Sequence, residues 1–189
     1  MTKLRFQKTQ NIALAALLAL PLLVTTAIFI TNYCHLFDGA GLLAKKRLLD
    51  HPAISFCVTP LFFWMSTYLC RRYSPNAAGD HFKSAVTQLK KDPNDFEKLS
   101  AFLNIRLVIV KTVSSLLSSF GGGALGKEGP SVHMSAGIFA IFANAYAKFL
   151  PKINLDAWVI SGSAVGLTLA FNAPIAGIIF AVEKINSRR

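Results

Sequence analysis

Gly126-Lys127-Glu128-Gly129-Pro130 is the string in this chain whose residue types and spacing point most directly to chemistry. Pro130 suits the first turn of a helix, where its missing N–H costs nothing. A helix N-terminus carries roughly half a positive charge and several free N–H donors, so it attracts anions. Glu128 is then a tethered anion that lies over those donors, or swings away and leaves them to a free one. In this reading Glu128 is a candidate gate, and Gly126, Lys127 and Gly129 are candidate anion-binding residues. The plainer reading has Glu128 capping its own helix or pairing with Lys127. An ionisable group inside apolar surroundings still weighs toward function.

Gly121 and Gly126-Lys127 also have the spacing of a phosphate-binding loop, G-x-x-x-x-G-K-[ST]. Glu128, however, stands where Ser or Thr would hold magnesium, and apolar helices rather than a strand surround the string. A nucleotide site is set aside on those grounds, and no cofactor is implied.

The elements that must position this string are apolar helices. The chain has 189 residues, 53% hydrophobic and 15% charged, against about a quarter charged in soluble domains. No Asp, Glu, Lys or Arg occurs over residues 11–31, 129–147 or 157–182, and each stretch is near the ~20 residues that cross a bilayer. Cys34, Cys57 and Cys70 are an odd three without framework spacing, which excludes a disulfide scaffold. The net charge of +11 is placed beside apolar runs, at Lys3, Arg5 and Lys8, at Lys45-Lys46-Arg47, and at Arg71-Arg72. That placement suits anionic headgroups, and no nucleic-acid motif accompanies it. The fold class is therefore all-α and polytopic, with the lipid bilayer as partner.

Hydropathy predicts spans over Asn11–Thr31 and His51–Cys70, separated by a polar loop, Asn32–Asp50. The first apolar run exceeds a signal-peptide core of ~7–15 residues and lacks a cleavage site, so it reads as a retained span. A water-facing stretch follows, with a short helix His81–Lys90 capped by Asp80 and ended by Asp92-Pro93-Asn94-Asp95. Helices are then expected over Leu99–Phe120, from Lys127 to about Phe149, over Ile153–Ala170, and from Ile175 to about Ile185. Gly121–Gly126 and Phe171-Asn172-Ala173-Pro174 interrupt them. Broken helices at membrane depth point to an ion or substrate site. The first charges place the N-terminus inside, with residues 1–10 a cytoplasmic tail, although Lys45-Lys46-Arg47 then sits outside against the positive-inside rule.

Residues Lys111–Ala140, with Gly121-Gly122-Gly123-Ala124-Leu125-Gly126-Lys127-Glu128-Gly129-Pro130 at their centre, resemble the gate region of the ClC family of chloride channels and proton-coupled chloride transporters. The family signature there is G-[KR]-E-G-P. A second string strengthens the likeness: Gly162-Ser163-Ala164-Val165-Gly166, Ala170-Phe171-Asn172-Ala173-Pro174-Ile175-Ala176-Gly177, and Val182-Glu183. It is similar to the family's G-x-A-A-G … A-F-x-A-P-[IL]-[AG]-G … E. The likeness covers roughly residues 101–187, with weaker matching back to Tyr73.

The resemblance implies the N-terminal half of an inverted-repeat fold over residues 11–189, in the plasma (inner) membrane, transporting chloride or a similar anion. Glu128 would be the gate and Glu183 a second proton-path residue. Lys111 would add positive potential near the anion path, or snorkel or pair as a structural lysine. Arg106 reads as an end-of-span anchor, His133 as packing, and Gly162 and Gly166 as a G-x-x-x-G close approach. A complementary half-protein would complete the path, or a homodimer would form in the family's manner. The alternative is a truncated, non-transporting remnant or a membrane scaffold subunit. Neither reading is an enzyme.

Two positions depart from the family. Asp80 matches the serine of the family's anion-contacting G-S-G-I-P string, in Gly79-Asp80-His81-Phe82-Lys83. Lys184 stands where proton-coupled members carry a second acidic residue. An ionised Asp80 repels chloride and, as an N-cap, occupies the donors an anion needs. Asp80→Ser is therefore expected to strengthen chloride binding tenfold or more by calorimetric titration. Removing a charge within ~4 Å at an effective dielectric near 20 is worth up to ~4 kcal/mol, and an unchanged affinity would remove Asp80 from the anion site.

Overall fold

The computed structural model describes residues 2–79, 87, 100, 102–146 and 155–186, with side chains described within residues 19–183. Asp80, nearly all of the expected helix His81–Lys90, and the Asp92–Asp95 turn lie outside the described residues. So does the side chain of Lys184.

The first helix, α1, runs unbroken from Thr2 to Asp50. The polar loop expected over Asn32–Asp50 is therefore helical. Gly39 and Gly41 each cost about 1 kcal/mol relative to alanine within a helix, but a buried seam offsets them. Ile30, Tyr33, Phe37, Ala40 and Ala44 recur at alternating steps of three and four residues and are all buried, so polarity in this stretch marks only the outer face. The helix stops at Asp50, because Pro52 has no N–H to continue it. His51 is the only residue between α1 and the second helix, α2, Pro52–Tyr73. Within α1, Ala19–Asp50 is long and apolar enough to cross a membrane, and so is α2. Leu49 and Phe56 are 72% and 84% exposed, as side chains facing hydrocarbon rather than water would be.

A 3-10 turn, Pro75–Ala77, closes α2. Helix α3 spans Ile105–Phe120, and its N-cap Asn104 accepts a hydrogen bond from Leu107 N at 2.8 Å. This cap starts α3 later than Leu99, where hydropathy placed it. The C-terminal end is a Schellman turn: Gly123 N donates to Ser118 O and Gly122 N to Ser119 O, both at 2.9 Å. Gly122 there adopts φ +85°, which glycine alone tolerates without cost. Arg47, from the end of α1, donates to Phe120 O at 2.8 Å and caps the same terminus. One of the three basic residues that broke the positive-inside pattern is thus engaged in the fold.

The buried face of α3 is apolar at Leu107, Val108 and Val110 and turns polar from Lys111 onward. Ser114, Ser115, Ser118 and Ser119 are all buried, and each finds a partner. Tyr33 OH donates to Ser115 Oγ at 3.0 Å, and Ser119 Oγ donates to Phe37 O at 2.9 Å, tying α3 to α1. Ser66 Oγ donates to Ser114 O at 2.8 Å, and Ser118 Oγ to Ser66 Oγ at 2.9 Å, tying α3 to α2. Away from water, hydrogen bonds of this kind hold helices together where burial alone gives little.

Helices α4, Glu128–Tyr146, and α5, Leu155–Phe171, form the tightest pair. A methyl group on Gly166 would come 2.5 Å from Ser131 O, and one on Gly162 2.7 Å from Phe139 Cβ. Ser135 Oγ donates across the seam to Gly162 O at 2.6 Å. The expected close approach through these two glycines is what the structure contains. After α5, Asn172 at φ 51° turns the chain into α6, Pro174–Asn186. Every described residue is in helix or in a turn between helices, so the fold is all-α.

Gly166→Val should lower stability by about 1–3 kcal/mol through overpacking, read as an earlier unfolding midpoint in detergent. At Gly39 an added Cβ meets nothing within 4 Å, so Gly39→Ala should be neutral or stabilising by up to about 1 kcal/mol. Equal effects at the two positions would remove close approach as the role of Gly166.

Candidate functional site

Helix α4 begins at Glu128 itself, immediately after the glycine-rich turn that ends α3. Pro130 has no N–H, and Ser131 N donates to Lys127 O at 3.0 Å. The amides of Glu128 and Gly129 are therefore the first-turn donors that the helix does not use. Glu128 is half-buried, and its carboxylate folds back over Gly126. A Cβ built on Gly126 would collide with Glu128 Oε2, so the missing side chain at Gly126 is what admits this conformation.

Lys127 does not pair with Glu128. Its ammonium lies 2.6 Å from Asp38 Oδ2, on α1, and leaves the Glu128 carboxylate without that neutralising partner. The pair is partly solvated, with side chains 24% and 54% exposed, so it contributes at most ~1 kcal/mol to stability. Its effect is to fix where the lysine points.

A cavity of about 500 Å³ opens beside this helix start. Gly126, Gly129 and Pro130 form one side, and Lys111, Ser66, Ser118 and the 77–79 backbone form others. Lys111 is buried, and its Nζ donates to Ala77 O at 2.8 Å and to Gly79 O at 2.5 Å. It both lines the cavity and anchors the segment that leads toward Asp80. A buried ammonium and uncommitted helix amides facing one cavity form an environment for an anion.

The residues expected to act together are thus partly assembled. Gly126, Gly129 and Lys111 share the cavity. Glu128 folds over Gly126 but, like Lys127 and Glu183, is not among the lining residues; Glu183 is exposed on α6. His133 is buried, with Nε2 3.0 Å from Phe102 O, to which that nitrogen donates. This agrees with a packing role. Asp38 and the serine face of α3 escaped sequence reasoning. The pairs Ser114-Ser115 and Ser118-Ser119, four residues apart in an apolar helix, were a usable signal. Asp38, 89 residues from its partner, had none.

Residues 61–189 match the family model described as voltage gated chloride channel. The chain is 29% identical over 145 residues to an H(+)/Cl(-) exchange transporter of Yersinia pseudotuberculosis, covering 77% of this chain and 28% of the relative. It is 30% identical over 156 residues to an anion/proton exchange transporter of Saccharomyces cerevisiae, covering 79% of this chain and 19% of that protein. An H(+)/Cl(-) exchange transporter of Pongo abelii is 30% identical over 126 residues, with 66% and 15% covered. The chain thus spans less than a third of the length of these relatives.

Lys111→Met should strand the buried Ala77 carbonyl, at a cost of about 1–3 kcal/mol, and release the part-buried Gly79 carbonyl. The expected result is faster hydrogen exchange at Ala77–Gly79 while α4 and α5 remain protected. Unchanged exchange in that segment would show that Lys111 does not anchor it.

Proposed function

The chain belongs to the voltage-gated chloride channel family, and from that membership we propose that it forms one wall of a transmembrane path for chloride-like anions, with Glu128 as the gate. The observation that carries this is the Glu128 carboxylate folded over Gly126 at the start of α4, Gly126 itself lining the cavity with Gly129 and Lys111. The carboxylate is a tethered anion at the helix start whose donors a free anion would use. The two compete for one electrostatic well, and protonation of the carboxylate decides which of them occupies it.

Support comes from three arrangements. The glycines keep side chains out of the place where an anion would contact backbone amides. Asp38 draws Lys127 aside, so Glu128 moves without breaking an ion pair to its neighbour. Lys111 supplies positive charge held in place by two carbonyls. Beyond the gate, we assign Glu183 to the far end of a proton path and place the protein in the plasma (inner) membrane. The opposite wall of the path would come from a second set of helix N-termini, in a complementary half-protein or a dimer.

The sign of the pH dependence follows from this competition. Acid neutralises Glu128 and removes the tethered competitor, so chloride binding strengthens as pH falls. Glu128→Gln should bind chloride about tenfold or more tightly at neutral pH, since loss of a nearby charge is worth up to ~4 kcal/mol at an effective dielectric near 20. Its binding should also lose most of the pH dependence. Calorimetric titration of the purified chain with chloride at several pH values tests this, and identical pH profiles for mutant and parent would remove Glu128 from the gate.

A further inference from the structure

A groove of about 320 Å³ runs along α2 near its C-terminal end, lined by Trp64, Thr67, Tyr68, Arg71 and Arg72. These residues recur at alternating steps of three and one, so they share one face of the helix. All five are exposed. Trp64 and Tyr68 stack, with ring centroids 5.5 Å apart and planes 17° from parallel. Arg72 lies over the neighbouring Tyr73 ring, 5.9 Å from its centroid. Thr67 and Arg71 also line the cavity beside Glu128, so the groove adjoins it.

Because α2 is long and apolar enough to cross a membrane, the chemistry of this face is ordered by depth. At 1.5 Å rise per residue, Trp64 lies about 10 Å along the axis from Arg71. The polar layer on each side of the hydrocarbon is about 5–7 Å deep. Arginines among the headgroup phosphates therefore place the stacked rings beside the glycerol and the first acyl carbons, the level such rings favour. Trp64 and Tyr68 are 63% and 52% exposed, a flat apolar surface against which an acyl chain can lie. Above them two guanidiniums are neighbours, and among the described residues no carboxylate lines the groove. Planar guanidinium groups grip phosphate oxygens through paired N–H donors. A zwitterionic headgroup brings an ammonium close to the same two cations, so the groove favours a lipid of net negative charge. Complementing the helix dipole accounts for basic residues at the end of α2, but not for the aromatic pair on the same face.

We infer that this groove is a binding site for an anionic glycerophospholipid, with the headgroup phosphate on Arg71 and Arg72 and one acyl chain along Trp64 and Tyr68. Thr67 stands at the ester level between them. The site does not depend on the role assigned to Glu128.

Trp64 can report the occupant directly. The full chain carrying Trp158→Phe, which leaves Trp64 as its only tryptophan, is placed in phosphatidylcholine nanodiscs. Increasing fractions of phosphatidylglycerol or phosphatidylcholine brominated on the acyl chains are then added, and quenching of Trp64 fluorescence is followed. Half-maximal quenching should need about tenfold less of the phosphatidylglycerol, since each basic side chain near the surface favours an anionic lipid about fivefold. Arg71→Gln combined with Arg72→Gln should erase that preference. Lys46→Gln, at an exposed position roughly 30 Å away near the opposite end of α2, should leave it unchanged. The proposal is overturned if both lipids quench equally before the arginines are changed, or if the arginine variant keeps the preference. It is also overturned if Lys46→Gln loses the preference as well, which would make the attraction one of net charge alone. Should Trp158→Phe disturb the core cluster it packs against, the parent chain serves instead, and a Trp64→Phe chain supplies the Trp158 signal to be subtracted. Glu128→Gln should leave the quenching unchanged, so failure here and failure of the gate are separable.

Discussion

Lys111 carries an ammonium group into the interior of an apolar helical bundle, and much of the surrounding architecture serves to make that tolerable. A charge away from water is costly unless oxygen atoms replace its hydration. Here the Ala77 and Gly79 carbonyls do so, which draws the end of α2 against the middle of α3. The serines on the same side of α3 continue this logic at lower stakes. Each buried hydroxyl is paired with α1, with α2 or with its own helix, so a polar seam runs beside the apolar contacts that Leu107, Val108 and Val110 make from the same helix. Ser114, Ser115 and Ser118 of this seam line the cavity beside α4.

The other half of the molecule follows the opposite rule. Helices α4 and α5 meet through glycine and serine backbone at distances that leave no room for a methyl group, and a cluster including Val132, Ala136, Leu155 and Val159 closes the pair. This rigid unit presents the first turn of α4 to the cavity. The Gly126–Pro130 string thus sits between a tightly packed helix pair and a hydrogen-bonded seam. Within it, only the Glu128 side chain lies over a position that lacks a side chain of its own.

Ion pairing in this protein positions more than it stabilises. The pair between Lys127 and Asp38 is too solvated to contribute much energy, yet it determines that the lysine next to Glu128 faces α1. Arg47 also acts by position, since its guanidinium caps α3 through Phe120 O and lies over the Phe62 ring. Counted as loop charges, neither Arg47 nor Asp38 suggested a role. Both acquire one because α1 continues as helix past Thr31 and brings its last turns alongside α3 and the start of α4.

The class of the fold, the Gly126–Pro130 string as a candidate site and the close approach at Gly162 and Gly166 were all legible in the sequence. All three rest on local or periodic signals: apolar run length, proline and glycine placement, and small residues one helical turn apart. The sequence also located the breaks at Gly121–Gly126 and Phe171–Pro174, because turn chemistry is written in neighbouring residues. That residues 32–50 are helical emerges only from packing, since their burial depends on α3 and α4, far along the chain. The tertiary structure alone turned the Lys127 side chain to Asp38, folded Glu128 over Gly126 and set Lys111 against the 77–79 carbonyls. Those outcomes depend on which distant groups share a low-dielectric interior, and spacing along the chain carries no record of that.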